Sequence, residues 1–373
     1  MSALEGVLLE RIRRNGPMPF AAFMSTALYH PRLGYYAADL PRSSRGGDFV
    51  TSPELDPAFA GLWVDGFRQT WEECGRPGMF GVLEVGPGEG AFAAGVLASA
   101  TGAFADALEL HLVERLPVLE ARQRMLLSRY DNVSWSPSLR ETPVAPDGCV
   151  FANEILDNLP VHLVERRGGR LMEVCVGAID GRLAFVLLPP ASPELERYLD
   201  RSDLDLAEGH RAEVGLAAES FTRQAAARIG RGAIFLIDYG FESDDLSRRV
   251  DGSLVSYSSS GADDRVLERP GAKDITAHVN WTAVRAAGEG TGLRMLGLRP
   301  QREVLGALGL WSLDDGLRRM HRSAAAEGRG AEAVSAMSRR GALGALADPG
   351  GLGALGVMAG LKGIGPPPFL LRA

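Results

Sequence analysis

The sequence predicts an α/β fold, a mostly parallel sheet of seven strands flanked by helices, entered through a helical cap. Three observations carry that expectation. From about residue 79, short apolar runs alternate with helix-like patterns, the order typical of α/β proteins. The first run leads through "LEVGPGEGAF" (83–92), which reads as a strand, a glycine turn and the start of a helix. The second run ends on Glu114, 24 residues after Gly90, where such a turn expects an acidic partner.

Residues 1–75 read as the helical cap, interrupted by the irregular stretch "YHPRLGYYAADLPRSSRGGDFVTSPE". Its opening, "MSALEGVLLERIRRNG", lacks the basic-then-apolar order of a signal peptide. It reads as an amphipathic helix with Leu4, Val7, Leu8 and Ile12 on one face. The domain over 76–373 begins with the strand "MFGVLEV" and the helix "GAFAAGVLASA". "LELHLVE" (108–114) is the second strand, followed by a helix through "PVLEARQRMLLSRY". "NVSWS" is the third, "GCVFANE" (148–154) the fourth and "RGAIFLIDYG" (231–240) the fifth. An insertion at about 163–230 holds a hairpin that turns at Asp180-Gly181 and the helix "EVGLAAESFTRQAAARI". A polar loop covers 242–275, and a helix starts at about 281. "GLRMLGLR" and the terminal "PPPFLLRA" are the expected last two strands, separated by an insertion of helices at about 300–360.

Composition narrows the function classes. Apolar residues make up 46% and charged ones 23%, which fits a soluble globular protein. A formal charge of −7 argues against a nucleic-acid partner, because phosphate binding needs clustered Lys and Arg. Cys74, Cys149 and Cys175 are widely spaced, so neither a disulfide framework nor a structural metal is expected, and a reducing cytoplasm fits. "GALGALADPGGLGALGVMAGLKGIG" is apolar, but its glycines and Asp348-Pro349 interrupt any spanning helix, so no membrane insertion is expected. The cap or the insertion leaves room for a homodimer.

A strand that ends in a glycine turn and opens a helix offers backbone N–H groups and a dipole to a ligand. Gly86, Gly88 and Gly90 let the main chain approach that ligand closely. Glu114 is placed to accept hydrogen bonds from two ribose hydroxyls. An ordinary strand-to-helix connection and a solvated carboxylate are the local alternatives. The spacing G-x-G-x-G, with Glu84 before it and Glu89 within it, differs from the G-x-G-x-x-G of nicotinamide enzymes. An acidic turn disfavours a diphosphate and favours the sulfonium and ammonium of S-adenosyl-L-methionine. A nicotinamide dehydrogenase would also need a hydride-site group such as Tyr-x-x-x-Lys, and Lys273 and Lys362 are the only lysines.

Several stretches together resemble one family of S-adenosyl-L-methionine-dependent methyltransferases, the mitochondrial complex I assembly arginine methyltransferases and their bacterial MidA-like relatives. The carrying residues are "PMPFAAFMSTALYHPRLGYY", "GDFVTSPEL", "LEVGPGEG", "HLVERLPVLEARQ", "FANEILDNLPVH", "IDYG" and "PGAKDITAHVNW". The resemblance implies a class I methyltransferase fold, Rossmann-like, with strand order 3-2-1-4-5-7-6 and an antiparallel last strand. It implies that Gly86, Gly88 and Glu114 bind the cofactor and that Asp48, Thr51, Ser52 and Glu54 close over it. It also implies an arginine of a partner protein as acceptor. The loop "GSLVSYSSSGADD" and the segment "LDPAFAGLW" depart from the family pattern, which leaves the acceptor open.

Methyl transfer needs an aligned acceptor, and a guanidinium is best oriented by carboxylates. "ANEILDN" places Asn153, Glu154 and Asp157 just beyond the fourth strand. Glu154 and Asp157 are expected to hold or deprotonate the acceptor while Asn153 fixes its geometry. The local alternative makes Asn153 a helix N-cap and Glu154 a first-turn acid. Asp238-Tyr239-Gly240 either lines the same crevice or forms an Asx turn. His278 is the histidine best embedded in a motif, a base for an amine or hydroxyl acceptor or a structural residue. Glu213 is either a further acceptor carboxylate or an exposed acid at a helix start. Trp281 and Trp311 read as core. The leading function is N-methylation of an arginine in a protein or peptide. The alternatives are a tailoring methyltransferase of a peptide natural product or small metabolite, and a cofactor-binding assembly factor.

Overall fold

Residues 2–37, 51–258 and 261–372 are described by the computed structural model. The chain sorts into two units, each discontinuous in sequence. The first comprises Met1–Phe49, Glu154–Arg223 and Asp238–Thr291, and the second Val50–Asn153, Gln224–Ile237 and Gly292–Ala373. The stretch read as one cap over 1–75 is thereby shared between them.

In the second unit the strands are β1 (Phe80–Val85), β2 (Leu108–Val113), β3 (Val133–Ser136), β4 (Ala145–Asn153), β5 (Ile229–Asp238), β6 (Arg294–Met295) and β7 (Gly356–Lys362). They lie in the order β3-β2-β1-β4-β5-β7-β6. The pairings β2–β3, β1–β2, β1–β4 and β4–β5 are parallel, and β6 runs antiparallel to β7. Every residue of β1 is buried, as expected of a central parallel strand covered on both faces. The helix Ala91–Ser99, which opens at the glycine turn, is held to the sheet by Phe92. Its ring stacks on Phe151 of β4 at 4.3 Å and 4°. Gly95 lets the helix Ala58–Glu73 close against this one, since a Cβ there would lie 2.5 Å from the Ala60 methyl.

The last two strands differ from expectation. "PPPFLLRA" forms the short helix Pro368–Leu371, with Phe369 buried against Trp63 and Phe235. Its three prolines have no N–H to give a sheet. The seventh strand is instead the glycine-containing Gly356–Lys362, buried over its first six residues. Gly360 is required there, because a Cβ would meet Met295 Sδ at 2.7 Å and Ile234 at 3.0 Å. "GLRMLGLR" contributes only Arg294–Met295 and a second two-residue pairing, Arg299–Pro300.

The first unit contains an antiparallel sheet in which Arg170–Ile179 pairs with Met18–Pro19, His162–Arg167 and Arg182–Leu188, and His162–Arg167 pairs with Arg211–Val214. The hairpin turns at Asp180 (φ 50°) and Gly181 (φ 74°), both left-handed, which matches the twist of the flanking strands. The helix Ala3–Asn15 starts in a capping box between Ser2 and Glu5 and buries Leu4, Leu8, Leu9 and Ile12. Val7, expected on that face, is exposed. The stretch read as a polar loop, 242–275, includes a small sheet in which Val255–Ser258 pairs with Gly261–Asp263 and Asp274–Thr276. No described helix is long and apolar enough to cross a membrane.

Candidate active site

After β1 the chain turns through Gly86, Gly88 and Gly90 with φ of 68°, 54° and 86°, a region that side chains rarely adopt. A Cβ on Gly88 would meet nothing within 4 Å, so this face of the turn is open to a ligand. Glu114 follows β2 and is buried. Its carboxylate accepts from the Leu116 N–H at 2.8 Å and from Gln123 Nε2 at 3.2 Å. Gln123 also donates to the Gly88 carbonyl at 2.7 Å and accepts from Trp135 Nε1 at 3.1 Å. This fully buried amide therefore ties the glycine turn to the acidic residue and to β3. No local pattern marks Gln123 for this role, which depends on partners in three elements.

Burial raises the pKa of Glu114. Glu84, inside β1, is pushed further, to about 8, by burial and then by the charge of Glu114. One of its oxygens is buried without a hydrogen-bond partner among the described residues. Thr51 and Glu54 form a capping box at the short helix Ser52–Leu55, and the buried Ser52 accepts from Gln301 Nε2 at 3.2 Å. This helix packs against Ala91–Ser99, so the "TSPE" segment stays beside the helix that the glycine turn opens. Asp48 lies outside the described residues.

After β4 no helix begins at Asn153, so the N-cap reading of this residue and the first-turn reading of Glu154 are corrected. Glu154 takes φ 53° and the chain forms a turn. The N–H groups of Ile155, Leu156 and Asp157 converge on one oxygen of Asp238, at 3.0, 2.7 and 3.2 Å. The other oxygen accepts from Tyr239 N–H at 2.8 Å. Successive N–H groups around an anion form a nest, here filled by the protein's own carboxylate. Burial still lifts the Asp238 pKa to about 7, against the pull of those donors.

Asp157 is buried, and one of its oxygens has no hydrogen-bond partner among the described residues. Burial, followed by the charges of Asp238, Asp274 and Glu154, holds its pKa well above the usual carboxylate range. Asp274 accepts from Tyr36 Oη and from Asn158 Nδ2, both at 3.0 Å. Tyr29 donates to the Asn158 carbonyl at 3.2 Å, and its ring stacks on Tyr36 at 5.4 Å. Asp274, Tyr36 and Asn158, none of them among the expected candidates, form one hydrogen-bonded group, and each lies in a stretch that carries the family resemblance.

His278 does not join this cluster through any hydrogen bond that the described residues make to its ring. It packs edge-on to Phe241 at 5.0 Å, with a buried Nδ1 that lacks a partner among the described residues. Burial and then the Arg249 charge lower its pKa to about 4, so it is neutral near pH 7. It lines a small interior pocket with Glu213 and Asn280. Glu213 is not at an exposed helix start. It is buried on the strand Arg211–Val214 and accepts from Ser253 N–H at 2.8 Å. Trp281 is fully buried, whereas Trp311 is 56% exposed and is not core.

Residues 65–299 match a family model described as S-adenosyl-L-methionine-dependent methyltransferase, Methyltransf_28. The chain belongs to this methyltransferase family. The methyltransferase is 31% identical to a COG1565 superfamily member of Burkholderia thailandensis whose crystal structure holds S-adenosyl-homocysteine. That match covers 99% of this chain and 94% of the other, with a TM-score of 0.86. It is 30% identical over 338 residues to the Caenorhabditis elegans "Protein arginine methyltransferase NDUFAF7 homolog, mitochondrial", covering 82% of this chain and 76% of that protein. The Drosophila melanogaster protein of the same name is 29% identical over 321 residues, covering 76% and 70%. These relatives are mitochondrial by name, which overturns the cytoplasmic location expected from the sparse cysteines. S-adenosyl-L-methionine is the cofactor. The open glycine turn and the buried Glu84, with one oxygen unpartnered among the described residues, suit a ligand that carries positive charge.

Proposed function

We propose that the methyltransferase N-methylates an arginine of a protein or peptide, and that Glu154 and Asp157 receive its guanidinium while Asn153 fixes the geometry. S-adenosyl-L-methionine, held by Glu84, Gly86, Gly88, Gly90 and Glu114 with the "TSPE" segment beside them, supplies an electrophilic methyl group on a sulfonium sulfur. The observation that carries the reading is Asp157, a buried carboxylate among three others with one oxygen unsatisfied among the described residues. Such a group is costly alone and is stabilised by a cation that brings N–H donors. A guanidinium offers five donors in a plane, which suits paired carboxylates better than an ammonium does.

Methylation of a guanidinium nitrogen forms an N–CH3 bond and releases one N–H proton. A carboxylate whose pKa is raised by burial and like charge is a better proton acceptor than an exposed one. Asp157 is thus suited both to hold the acceptor and to take that proton. The relatives named as protein arginine methyltransferases support the acceptor class. The serine-rich segment 252–264 favours a second reading, in which the acceptor is a peptide natural product.

The test is incubation with methyl-labelled cofactor and arginine-containing peptides, followed by mass-spectrometric mapping of the labelled residue. The Glu154→Gln/Asp157→Asn protein is expected to lose at least about 100-fold in turnover while still binding S-adenosyl-homocysteine. Turnover at the wild-type rate would sink the assignment.

A further inference from the structure

The acidic cluster accounts for charge but not for shape, and its neighbours supply the latter. Tyr257 lies on Val255–Ser258 directly opposite Asp274 in the antiparallel register, so the two side chains share a face of that small sheet. Burial alternates along the strand: Ser256 and Ser258 are buried, and Tyr257 is 38% exposed. Tyr239, next to the nest carboxylate, is 37% exposed. Tyr239 follows Asp238 and donates its own N–H to that carboxylate at 2.8 Å, and burial, followed by the charges of Glu154, Asp157, Asp238 and Tyr257, raises the pKa of its hydroxyl. Tyr257 is raised by burial and then by Asp157 and Asp274. Tyr29 and Tyr36 are packed on each other with their hydroxyls engaged, so Tyr239 and Tyr257 are the pair with open ring surface.

Building on the arginine reading above, we propose that Tyr239 and Tyr257 are specificity-determining residues whose rings stack on the acceptor guanidinium while the carboxylates bind its edge. A flat cation gains from ring faces and in-plane carboxylates at once. A tetrahedral ammonium gains less from this pairing, and a hydroxyl gains neither charge term. Tyr257 belongs to the serine-rich segment 252–264.

The experiment titrates the full chain, loaded with S-adenosyl-homocysteine, with N-acetyl-arginine methylamide and with its lysine counterpart. Wild type is expected to prefer the arginine probe. Tyr257→Leu and Tyr239→Leu should each weaken arginine binding by about three- to thirtyfold, leaving lysine binding and S-adenosyl-homocysteine affinity within about twofold. Tyr257→Phe should retain the preference, because the ring and not the hydroxyl carries it. Equal binding of both probes by wild type, an unchanged preference in both leucine variants, or a Tyr257→Phe protein as impaired as Tyr257→Leu would each overturn the proposal. Mapping the labelled methyl on peptides separates the two claims. Label on arginine with silent tyrosine variants refutes the stacking alone, and label on another residue type refutes the arginine reading itself.

Discussion

Cofactor binding should expel a proton from Glu84. With a pKa of about 8, roughly nine molecules in ten carry the proton at pH 7, and ionising the group there costs about 1.4 kcal/mol. A cationic ligand brought to this carboxylate favours the ionised form. Binding at pH 7 should therefore release about 0.9 proton from this group, and at pH 9 only about 0.1. The same linkage tightens affinity by about tenfold between pH 7 and pH 9 if the bound-state pKa falls well below 7. Isothermal titration calorimetry of S-adenosyl-L-methionine in two buffers of different ionisation enthalpy measures the proton count. Subtracting the count for Glu84→Gln removes protons that belong to the ligand. Apoprotein stability follows with the opposite slope. The folded-state pKa lies above the ordinary 4.5, so this contribution is full below about 4.5 and is lost as pH rises through about 8. Equal proton counts for wild type and variant at pH 7 would refute the reasoning.

Three further outcomes are expected. Asp238→Asn replaces one acceptor oxygen by a donor and leaves either the Tyr239 N–H or the 155–157 nest unsatisfied, at a cost of about 1–3 kcal/mol. Stopped-turnover assays should then show a reduced kcat, with S-adenosyl-homocysteine affinity measured by calorimetry unchanged. Gln123→Ala frees the Gly88 carbonyl and Glu114 together, and should weaken cofactor binding by about five- to thirtyfold without altering acceptor KM. Gly360→Val drives a side chain into Met295 and Ile234, and a thermal melt should register an overpacking loss of about 1–3 kcal/mol.

The central strands were legible because parallel strands covered on both faces read as continuous apolar runs, as in "GVLEV" and "AIFLID". The glycine turn was legible because its φ requirements are local. The seventh strand was not, since Gly360 is explained only by what lies across from it, Met295 and Ile234. Of the acidic cluster, Glu154 and Asp157 were legible as acids after a strand. The left-handed backbone at Glu154 was not, because the N–H groups that follow it turn onto Asp238, more than 80 residues away in sequence. Tyr36 and Asp274 are separated by 238 positions, and no spacing pattern announces a contact of that range. Trp311 misled because a large apolar residue was assigned to the core by type alone.

The place of β7 between β5 and β6 has a consequence for the order of events during synthesis. Strand β6 emerges from the ribosome first, yet its neighbour in the sheet is β7, some sixty residues later. Until residue 362 is available, β5 exposes a long hydrogen-bonding edge built from "AIFLID". An open apolar edge of that kind is a template for other chains. Nascent chains arrested before residue 356 should accordingly depend on a chaperone, and release of the last segment should end that dependence.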